Sequence, residues 1–164
     1  MNRITAEVPC AIAPSPLGPI GVTVDGTGRV VRIELGVRDA RCQQDTAAMR
    51  RCDPVLRQLA EYFAGRRRTF ALELAPVGTP FQLATWRALQ AIPWGRTRSY
   101  AQLAEAIGRP TAVRAVGGAN GANPLPIVVP CHRVIAADGS IGGFSGGIDR
   151  KRWLLAHEGI ALRG

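Results

Sequence analysis

The residues best suited to chemistry lie in the run Pro-Cys-His-Arg-Val at positions 130–134. A cysteine attacks as its thiolate, so Cys131 needs a neighbouring group that takes up its proton. His132 follows directly, but adjacent side chains point in different directions, and a bridging water could carry the proton between them. Glu158, near the end of a helix expected to start near Asp149, is the best candidate to orient the imidazole. The pattern predicts a nucleophilic cysteine, although a lone cysteine is commonly buried and inert.

Composition limits the class of protein. Hydrophobic residues make up 46% of the 164 residues and the mean hydropathy is near zero, which is typical of a soluble globular protein. No apolar run approaches the roughly 18 residues of a membrane span. Glu7 and Pro9 interrupt the start of the chain, where a signal peptide is continuously apolar. We therefore expect an intracellular protein.

The net charge of +9 is unevenly distributed. Residues 1–76 carry eleven Arg against eight acidic residues, whereas residues 77–164 carry nine Arg and Lys151 against four acidic residues. A basic second half favours a polyanionic partner, most simply nucleic acid, although a merely soluble basic surface has the same composition. All basic residues except Lys151 are arginine, which we attribute to the base composition of the genome.

The remaining cysteines, Cys10, Cys42 and Cys52, suggest no special chemistry. None belongs to a C-x-x-C pair, and only His132 and His157 could complete a set of metal ligands. Zinc sites are recognisable by close ligand spacing, so we expect no metal. Disulfides are not expected in a cytosolic chain, and we predict three ordinary thiols.

Residues 1–76 have the pattern of a small α/β unit. The segments 20–24 and 30–35 alternate as strands, and the Asp-Gly and Thr-Gly pairs between them predict a hairpin turn. Asp53 followed by Pro54 predicts a helix start, and Gly65 its end. The apolar face of this helix would comprise Leu56, Leu59, Ala60 and Phe63. Residues 69–74 resemble another strand, and nothing here resembles a catalytic site.

The segment 75–78 is the best candidate for a linker, which divides the chain into a supporting domain, 1–76, and a second domain, 77–164. Helix signals follow it. Thr79 is a cap, Pro80 opens a helix and Pro93 ends it. At 99–102, a serine and a glutamine form the pattern of a capping box for the next helix.

Two short helices with a glycine-containing turn predict a helix-turn-helix. The first ends at Gly108, and Thr111 could cap the second, at 112–120. The second helix and the position after it are dominated by small residues: Ala112, Ala115, Gly117, Gly118, Ala119 and Gly121. With Arg114 as its only long cation, this helix lacks the polar side chains of a major-groove reader and suits a sequence-indifferent fit in the minor groove. The alternative is that the small residues only permit close helix packing.

Residues 78–159 resemble the O6-alkylguanine-DNA alkyltransferase family. The resemblance lies in Pro-Cys-His-Arg-Val, Arg-Ala-Val-Gly-Gly-Ala, the Asn-Pro before the reactive run, Ser-Gly-Gly and Leu-Leu-x-His-Glu-Gly. It implies an α/β (α+β) fold, with a ribonuclease H-like N-terminal domain on an antiparallel sheet and a mainly helical C-terminal domain. It also implies DNA repair by direct, irreversible, single-turnover alkyl transfer from O6-alkylguanine, with O4-alkylthymine as a further candidate, to Cys131 after base flipping.

The resemblance also implies roles for individual residues. Glu158, His132 and a water would assist thiolate formation at Cys131. Asn123 would tie the helix-turn-helix to the reactive loop. Tyr100 would help to rotate the nucleotide out of the duplex and would hydrogen-bond its base; as a phenol donor it can stabilise the anionic leaving group.

Further implied roles concern DNA and the base. Arg114 would fill the space that the base vacates. The DNA-binding residues would be Tyr100, Thr111, Ala112, Arg114, Ala115, Gly117 and Gly118, and the pocket would be lined by Pro126, Val134, Phe144, Ser145 and Gly146. The carbonyls of Cys131 and Val134 would face the base amine and the Ser145 amide would face O6, under a flexible lid at 142–147.

Two positions depart from the pattern of some family members. Phe144 replaces a tyrosine and so loses a hydroxyl contact, and Gly121 replaces a basic residue beside the DNA. The nucleophile remains. We expect no cofactor, a monomer in solution, and a cytoplasmic protein that acts on the nucleoid.

Two other classes of function stay open. A non-catalytic helix-turn-helix DNA-binding protein would bind with sequence selectivity, whereas backbone-directed binding shows little sequence preference and a marked salt dependence. A cysteine hydrolase would use Cys131 with His132 or His157 and would turn over many times.

Overall fold

The first of two units, Met1–Pro76, is built on a three-stranded antiparallel sheet. The computed structural model describes residues 9–37 and 46–163. The strands, adjacent in chain order, are β1 (Cys10–Ala13), β2 (Ile20–Val24) and β3 (Val30–Leu35). The predicted hairpin of β2 and β3 is confirmed. Asp25 holds its turn, because one carboxylate oxygen accepts hydrogen bonds from the amides of Thr27 and Arg29.

Helix α1 (Thr46–Phe63) packs on β1 and β2 and is longer than predicted. The start predicted at Asp53 is wrong, because Pro54 lies inside the helix. A proline there removes one backbone hydrogen bond, but apolar side chains before and after it bury one continuous face: Ala48, Cys52, Val55, Leu59 and Tyr62. The predicted face was therefore rotated, with only Leu59 of its members buried. Gly65, at φ 74°, follows the end of the helix as predicted.

Two further predictions in this unit are wrong. Residues 69–74 form no strand, although Leu74 makes a single bridge to Val30. The backbone N–H and C=O of Ala71 are hydrogen-bonded by the side chain of Gln58 and not by a neighbouring strand. Cys10 is disulfide-bonded rather than an ordinary thiol. That prediction considered only the redox compartment, whereas a disulfide depends on the approach of two sulfur atoms, which composition does not reveal. Cys42 lies outside the described residues.

The second unit, Val77–Gly164, is mainly helical. Its elements are α2 (Pro80–Gln90), β4 (Arg98–Ser99), α3 (Tyr100–Ala106), α4 (Val113–Gly121), a 3-10 turn (Cys131–Arg133), β5 (Val134–Ile135) and α5 (Ile148–His157). The cap at Thr79 and the capping box of Ser99 and Gln102 are confirmed. In the part of the chain that is described, no helix is both long and apolar enough to cross a membrane.

Helices α3 and α4 form the predicted helix-turn-helix, and α2 packs against α4. Trp86 of α2 is buried and its indole N–H donates to the carbonyl oxygen of Ala119 at 2.8 Å. Thr111 is not the cap of α4: that position belongs to Ala112, which has no side-chain cap bond. A turn closed by the Ala112 amide on the Arg109 carbonyl delays the helix by one residue, so the Thr111 hydroxyl comes too early.

Candidate active site

Two asparagines at and after the end of α4 are bonded to the segment that leads to Cys131. Asn123 donates from its side-chain amide to the Val129 carbonyl at 2.8 Å and accepts from the Leu125 amide at 2.9 Å. Within this loop Ile127 has φ 74°, a left-handed conformation that is strained for a β-branched residue. Asn120, which sequence reasoning missed, donates to the Cys131 carbonyl at 3.4 Å. Both asparagines thus connect the helix-turn-helix to the 3-10 turn.

Cys131 opens the 3-10 turn and is 3% exposed. Burial raises the pKa of its thiol to about 11, because a thiolate loses hydration there. A hydrogen bond from the Asn123 side chain and the positive charge of Lys151 act in the opposite direction on this pKa. The thiol form therefore dominates at neutral pH, and reaction requires a group that accepts its proton.

His132 and Glu158 form a fully buried pair, with Nε2 of the imidazole 2.6 Å from Oε2 of the carboxylate. Burial opposes the charge of Glu158, but hydrogen bonds from His132 and Arg133 bring the carboxyl pKa below its usual value. Burial lowers the pKa of His132, in the same direction as the charges of Arg133 and Lys151 and against that of Glu158. A neutral imidazole beside a carboxylate donates from Nε2, which leaves Nδ1 as an acceptor. Nδ1 has no hydrogen-bond partner among the described residues.

Arg133 is a second partner of Glu158 that sequence reasoning missed. Its Nε donates to Oε1 of Glu158 at 2.7 Å, and its Nη2 contacts the same oxygen. Nη1 donates to the Ile92 carbonyl at 2.6 Å, after the end of α2. A planar guanidinium fixed at both ends holds the carboxylate in one orientation. The only signal for this arginine in the sequence was its place in the run Pro-Cys-His-Arg-Val, because its carboxylate partner is 25 positions away.

Tyr100 reaches the reactive turn through the pairing of β4 with β5, in which Ser99 lies opposite Ile135. Burial raises the pKa of its phenol; a hydrogen bond with the Gly143 backbone opposes that shift, and the nearby Cys131 adds to it. A Cβ on Gly142 would lie 3.1 Å from the Tyr100 oxygen, and φ there is 69°. The glycine-rich loop can therefore approach the phenol closely only because it lacks a side chain at this point.

Lys151 of α5 is also part of the site and was not predicted. It is fully buried, and Nζ donates to the Val134 carbonyl at 2.6 Å and to the Gly143 carbonyl at 2.9 Å. It therefore joins β5, which follows the reactive turn, to the loop 142–147. Of the predicted pocket residues, Val134 is buried, Ser145 is exposed, and three are half-exposed: Pro126, Phe144 and Gly146.

The outward side of α4 is nearly free of long side chains. Arg114, Ala115 and Gly118 are exposed there, as is Thr111 in the preceding turn; Ala112 and Gly117 are half-exposed. A Cβ built on Gly118 meets no atom within 4 Å, and the same holds for Gly121. Close packing within the chain therefore does not require glycine at either of these two positions. A Cβ on Gly117 would lie 3.8 Å from the Tyr100 ring, which is ordinary contact.

The site thus combines a buried thiol, an imidazole oriented by a carboxylate, and a phenol, all in the unit that carries the helix-turn-helix. Over the described ranges, no group of three or more His, Cys, Asp or Glu side chains could hold a metal ion. A helix-turn-helix together with this cysteine, histidine and tyrosine is typical of a class of protein in which DNA binding and thiol chemistry share one domain.

Comparison with known proteins identifies the family. Residues 80–160 match the model of the 6-O-methylguanine DNA methyltransferase DNA-binding domain, and residues 8–76 match that of its ribonuclease-like domain. The methylated-DNA--protein-cysteine methyltransferase of Salmonella typhimurium is 46% identical over 160 residues, which cover 90% of this chain and 94% of the relative. The chain belongs to the 6-O-methylguanine DNA methyltransferase family.

Solved structures agree with this assignment. The O6-methylguanine methyltransferase of Mycobacterium tuberculosis has a TM-score of 0.83 at 40% identity, covering 96% of both chains. The structure of M. tuberculosis OGT in complex with DNA has a TM-score of 0.81 at 42% identity, covering 91% of both chains. The predicted family, fold class and activity, a DNA repair methyltransferase with a protein cysteine as acceptor, are confirmed, as is DNA as the partner.

Proposed function

We propose that Cys131 accepts the alkyl group from O6 of an alkylated guanine in duplex DNA, once per protein molecule. The observation that carries this proposal is the buried cluster in which Glu158 holds Nε2 of His132 while Nδ1 has no protein partner. A neutral imidazole in this state is a base for the neighbouring thiol. No described side chain has a comparable environment: Cys52, the other free cysteine described, is buried with carbonyl oxygens as its contacts.

The reaction begins with a proton transfer. The Sγ–H proton of Cys131 passes through a water molecule to Nδ1 of His132, and the resulting imidazolium is stabilised by Glu158. The thiolate then attacks the alkyl carbon, so that a C–S bond forms as the C–O6 bond breaks. Guanine leaves with the electron pair and takes up one proton, while the imidazolium of His132 gives one proton back to solvent, so that the S–H bond is replaced by an S–C bond and the C–O6 bond by an N–H bond. The thioether at Cys131 has no neighbouring group that hydrolyses it, which makes transfer irreversible and distinguishes this chemistry from that of a hydrolase.

Tyr100 and the loop 142–147 would receive the base. The phenol of Tyr100, close to Cys131, donates to the oxyanion that develops as guanine leaves. The carbonyls of Cys131 and Val134 accept from the base amine, and the amide of Ser145 donates to O6. Asn123 fixes the loop before Cys131 to the end of the helix-turn-helix through its hydrogen bonds. The half-exposed apolar side chains of Pro126 and Phe144 complete the lining.

The exposed side of α4 would meet the minor groove. Its open glycine positions let the helix backbone approach DNA without interposed side chains. Flipping a base from the duplex costs a few kcal/mol, and the exposed Arg114 offsets part of that cost by entering the gap. Binding through the backbone gives little sequence preference and a marked dependence on salt. A non-catalytic helix-turn-helix protein would instead select a sequence.

The remaining expectations complete the proposal. Residues 1–76 serve as a supporting domain and 77–164 as the DNA-binding and acceptor domain. The protein acts as a monomer on DNA in the cytoplasm, with O6-alkylguanine as its main substrate and O4-alkylthymine as a second one.

The test is a stoichiometric transfer assay. A molar excess of duplex DNA with a labelled methyl group on guanine O6 is incubated with the protein, and the label is located by peptide mass spectrometry. We expect up to one label per chain, on Cys131, and none in a Cys131→Ser variant. Label on Cys10, Cys42 or Cys52, or continued turnover beyond one equivalent, would contradict the proposal.

A further inference from the structure

The chain contains a single lysine, and this lysine is buried in the reactive unit. Every other basic residue is arginine. Lys151 is fully buried, with Nζ bonded to the carbonyls of Val134 and Gly143. An ammonium is compact and has three donors in tetrahedral directions, whereas a guanidinium is planar and larger. Two carbonyls use two of the three donors, and no further partner of Nζ occurs among the described residues. The position therefore suits lysine in particular.

The buried charges of the described residues are unbalanced. Arg133, Lys151 and Glu158 are the buried side chains that carry a full charge, so there are two cations for one anion. Arg133 neutralises Glu158 directly through its hydrogen bonds. Lys151 has no carboxylate partner, and the carbonyls that it contacts carry only partial charges. A buried ion without a counter-charge is costly, so an anion that forms next to Lys151 would be stabilised by it.

The thiolate of Cys131 is the anion that could balance the charge of Lys151. Cys131 opens the 3-10 turn that leads into β5, and the amide of Val134 bonds the Cys131 carbonyl. Lys151 contacts the carbonyl of the same Val134, which places its ammonium beside this turn. The two groups also interact electrostatically, since the charge of each favours ionisation of the other. When the thiol loses its proton, the reactive centre gains the anion that balances Lys151.

We propose that Lys151 is a positioning residue whose ammonium compensates the thiolate of Cys131 during transfer, while it joins β5 to the loop 142–147. This inference rests on the proposed alkyl transfer to Cys131. Once the sulfur is alkylated, the thioether is neutral and Lys151 again lacks a counter-charge. The ammonium therefore favours the reactive state over both the resting thiol and the product.

The pH dependence separates charge from structure. Burial lowers the pKa of Lys151 to about 8, against the pull of Cys131, so its charge is lost as the pH rises through this value. The other titratable or charged groups at the centre are Tyr100, His132, Arg133 and Glu158. Burial lowers the pKa of His132 and raises that of Tyr100, which favours the neutral imidazole and the protonated phenol; hydrogen bonds from His132 and Arg133 lower the pKa of the Glu158 carboxyl against the effect of burial. Lys151 is then the neighbour of Cys131 whose charge changes.

The experiment measures modification of Cys131 by iodoacetamide, without DNA, in the wild type and in Lys151→Gln. Glutamine retains an N–H donor but has no charge. We expect the variant to react about tenfold more slowly at pH 7, corresponding to one unit in the thiol pKa. The ratio of the two rates should shrink as the pH rises past 8. Arg152→Met, which removes an exposed charge from the same helix, should not change the rate.

A ratio that stays constant from pH 6 to 10, or equal slowing by Arg152→Met, would overturn the proposal. If Lys151→Gln does not fold, the single lysine still permits a test in the wild-type protein. Its isotope-labelled side chain gives one NMR signal, whose titration is followed before and after alkylation of Cys131 by iodoacetamide. The pKa of Lys151 should fall once Cys131 carries a neutral thioether, because the thiolate charge that raises it is gone; an unchanged pKa would overturn the proposal. Neither measurement uses DNA, so failure of label transfer to Cys131 would be recognised separately.

Discussion

Substitution of Gly118 tests whether the smooth side of α4 serves DNA or internal packing. A glycine in the middle of a helix is less stable than alanine by about 0.5–1 kcal/mol. At Gly118 the added methyl group meets no atom within 4 Å, so no steric cost opposes this gain. We therefore expect Gly118→Ala to stabilise the second unit by about 0.5–1 kcal/mol. All three tryptophans lie in residues 77–164, so their fluorescence during denaturant unfolding reports on this unit.

The effect on DNA binding should have the opposite sign. A side chain on Gly118 projects outward from the exposed surface and would separate the helix backbone from the groove. We expect Gly118→Leu to weaken binding to a duplex by about tenfold or more, equivalent to at least about 1.4 kcal/mol. Fluorescence anisotropy with a labelled duplex at one fixed salt concentration measures this change. Gly26→Ala, which also meets open space but lies in the first unit, is the matched control and should bind as the wild type does.

Either of two results would refute this reasoning. Destabilisation by Gly118→Ala would mean that the glycine is needed for packing within the chain. Unchanged DNA affinity of a folded Gly118→Leu variant would mean that this side of α4 does not face the groove.

Three further predictions concern the gap in the duplex, the buried carboxylate and the reactive loop. Arg114→Ala should slow repair of a duplex more than reaction with free O6-alkylguanine, because only the duplex leaves a gap to fill; equal slowing in single-turnover assays would contradict this. Glu158→Gln leaves Arg133 buried without its anion and should cost about 3–5 kcal/mol at pH 7. The pKa of Glu158 is lowered in the folded state, so its contribution is present above the unfolded carboxyl pKa and is lost as the pH falls through the folded one. The difference in unfolding free energy between wild type and variant should therefore become smaller on acidification. If urea unfolding gave the same difference from pH 7 to pH 3, ionisation of Glu158 would not be the source of the stability. Asn123→Ala leaves the buried Val129 carbonyl without its side-chain donor and should destabilise the second unit by about 1–3 kcal/mol, measured by tryptophan fluorescence; Asn123→Asp, which keeps the acceptor but not the donor, should not restore this bond.

Local interactions explain the features that could be predicted from sequence. The hairpin at Asp25 and the capping box of Ser99 and Gln102 form between residues at most four positions apart. Their side chains satisfy nearby backbone groups regardless of what packs on them. For this reason the sequence pattern was sufficient there, as it was for the cap at Thr79.

Packing explains the predictions that were wrong. Pro54 is a local stop signal, yet α1 continues through it, since burial of Cys52 and Val55 on the same side of the sheet outweighs one lost hydrogen bond. At the start of α4 the error was one residue, because a preceding turn and not the Thr111 hydroxyl sets the first helical position. The disulfide of Cys10 likewise depends on distance in space.

The sequence by itself determined the presence of a helix-turn-helix and the family and predicted Cys131 as the nucleophile, because these depend on residue types at fixed short spacings. Only the tertiary structure decided which groups surround Cys131 and how they are paired. Glu158 is hydrogen-bonded to His132, 26 positions away in the sequence, and to Arg133, 25 positions away. Lys151 is hydrogen-bonded to Val134, 17 positions away. Burial removes water from these groups, so each must find its partner within the fold, and that pairing is not encoded in any local pattern.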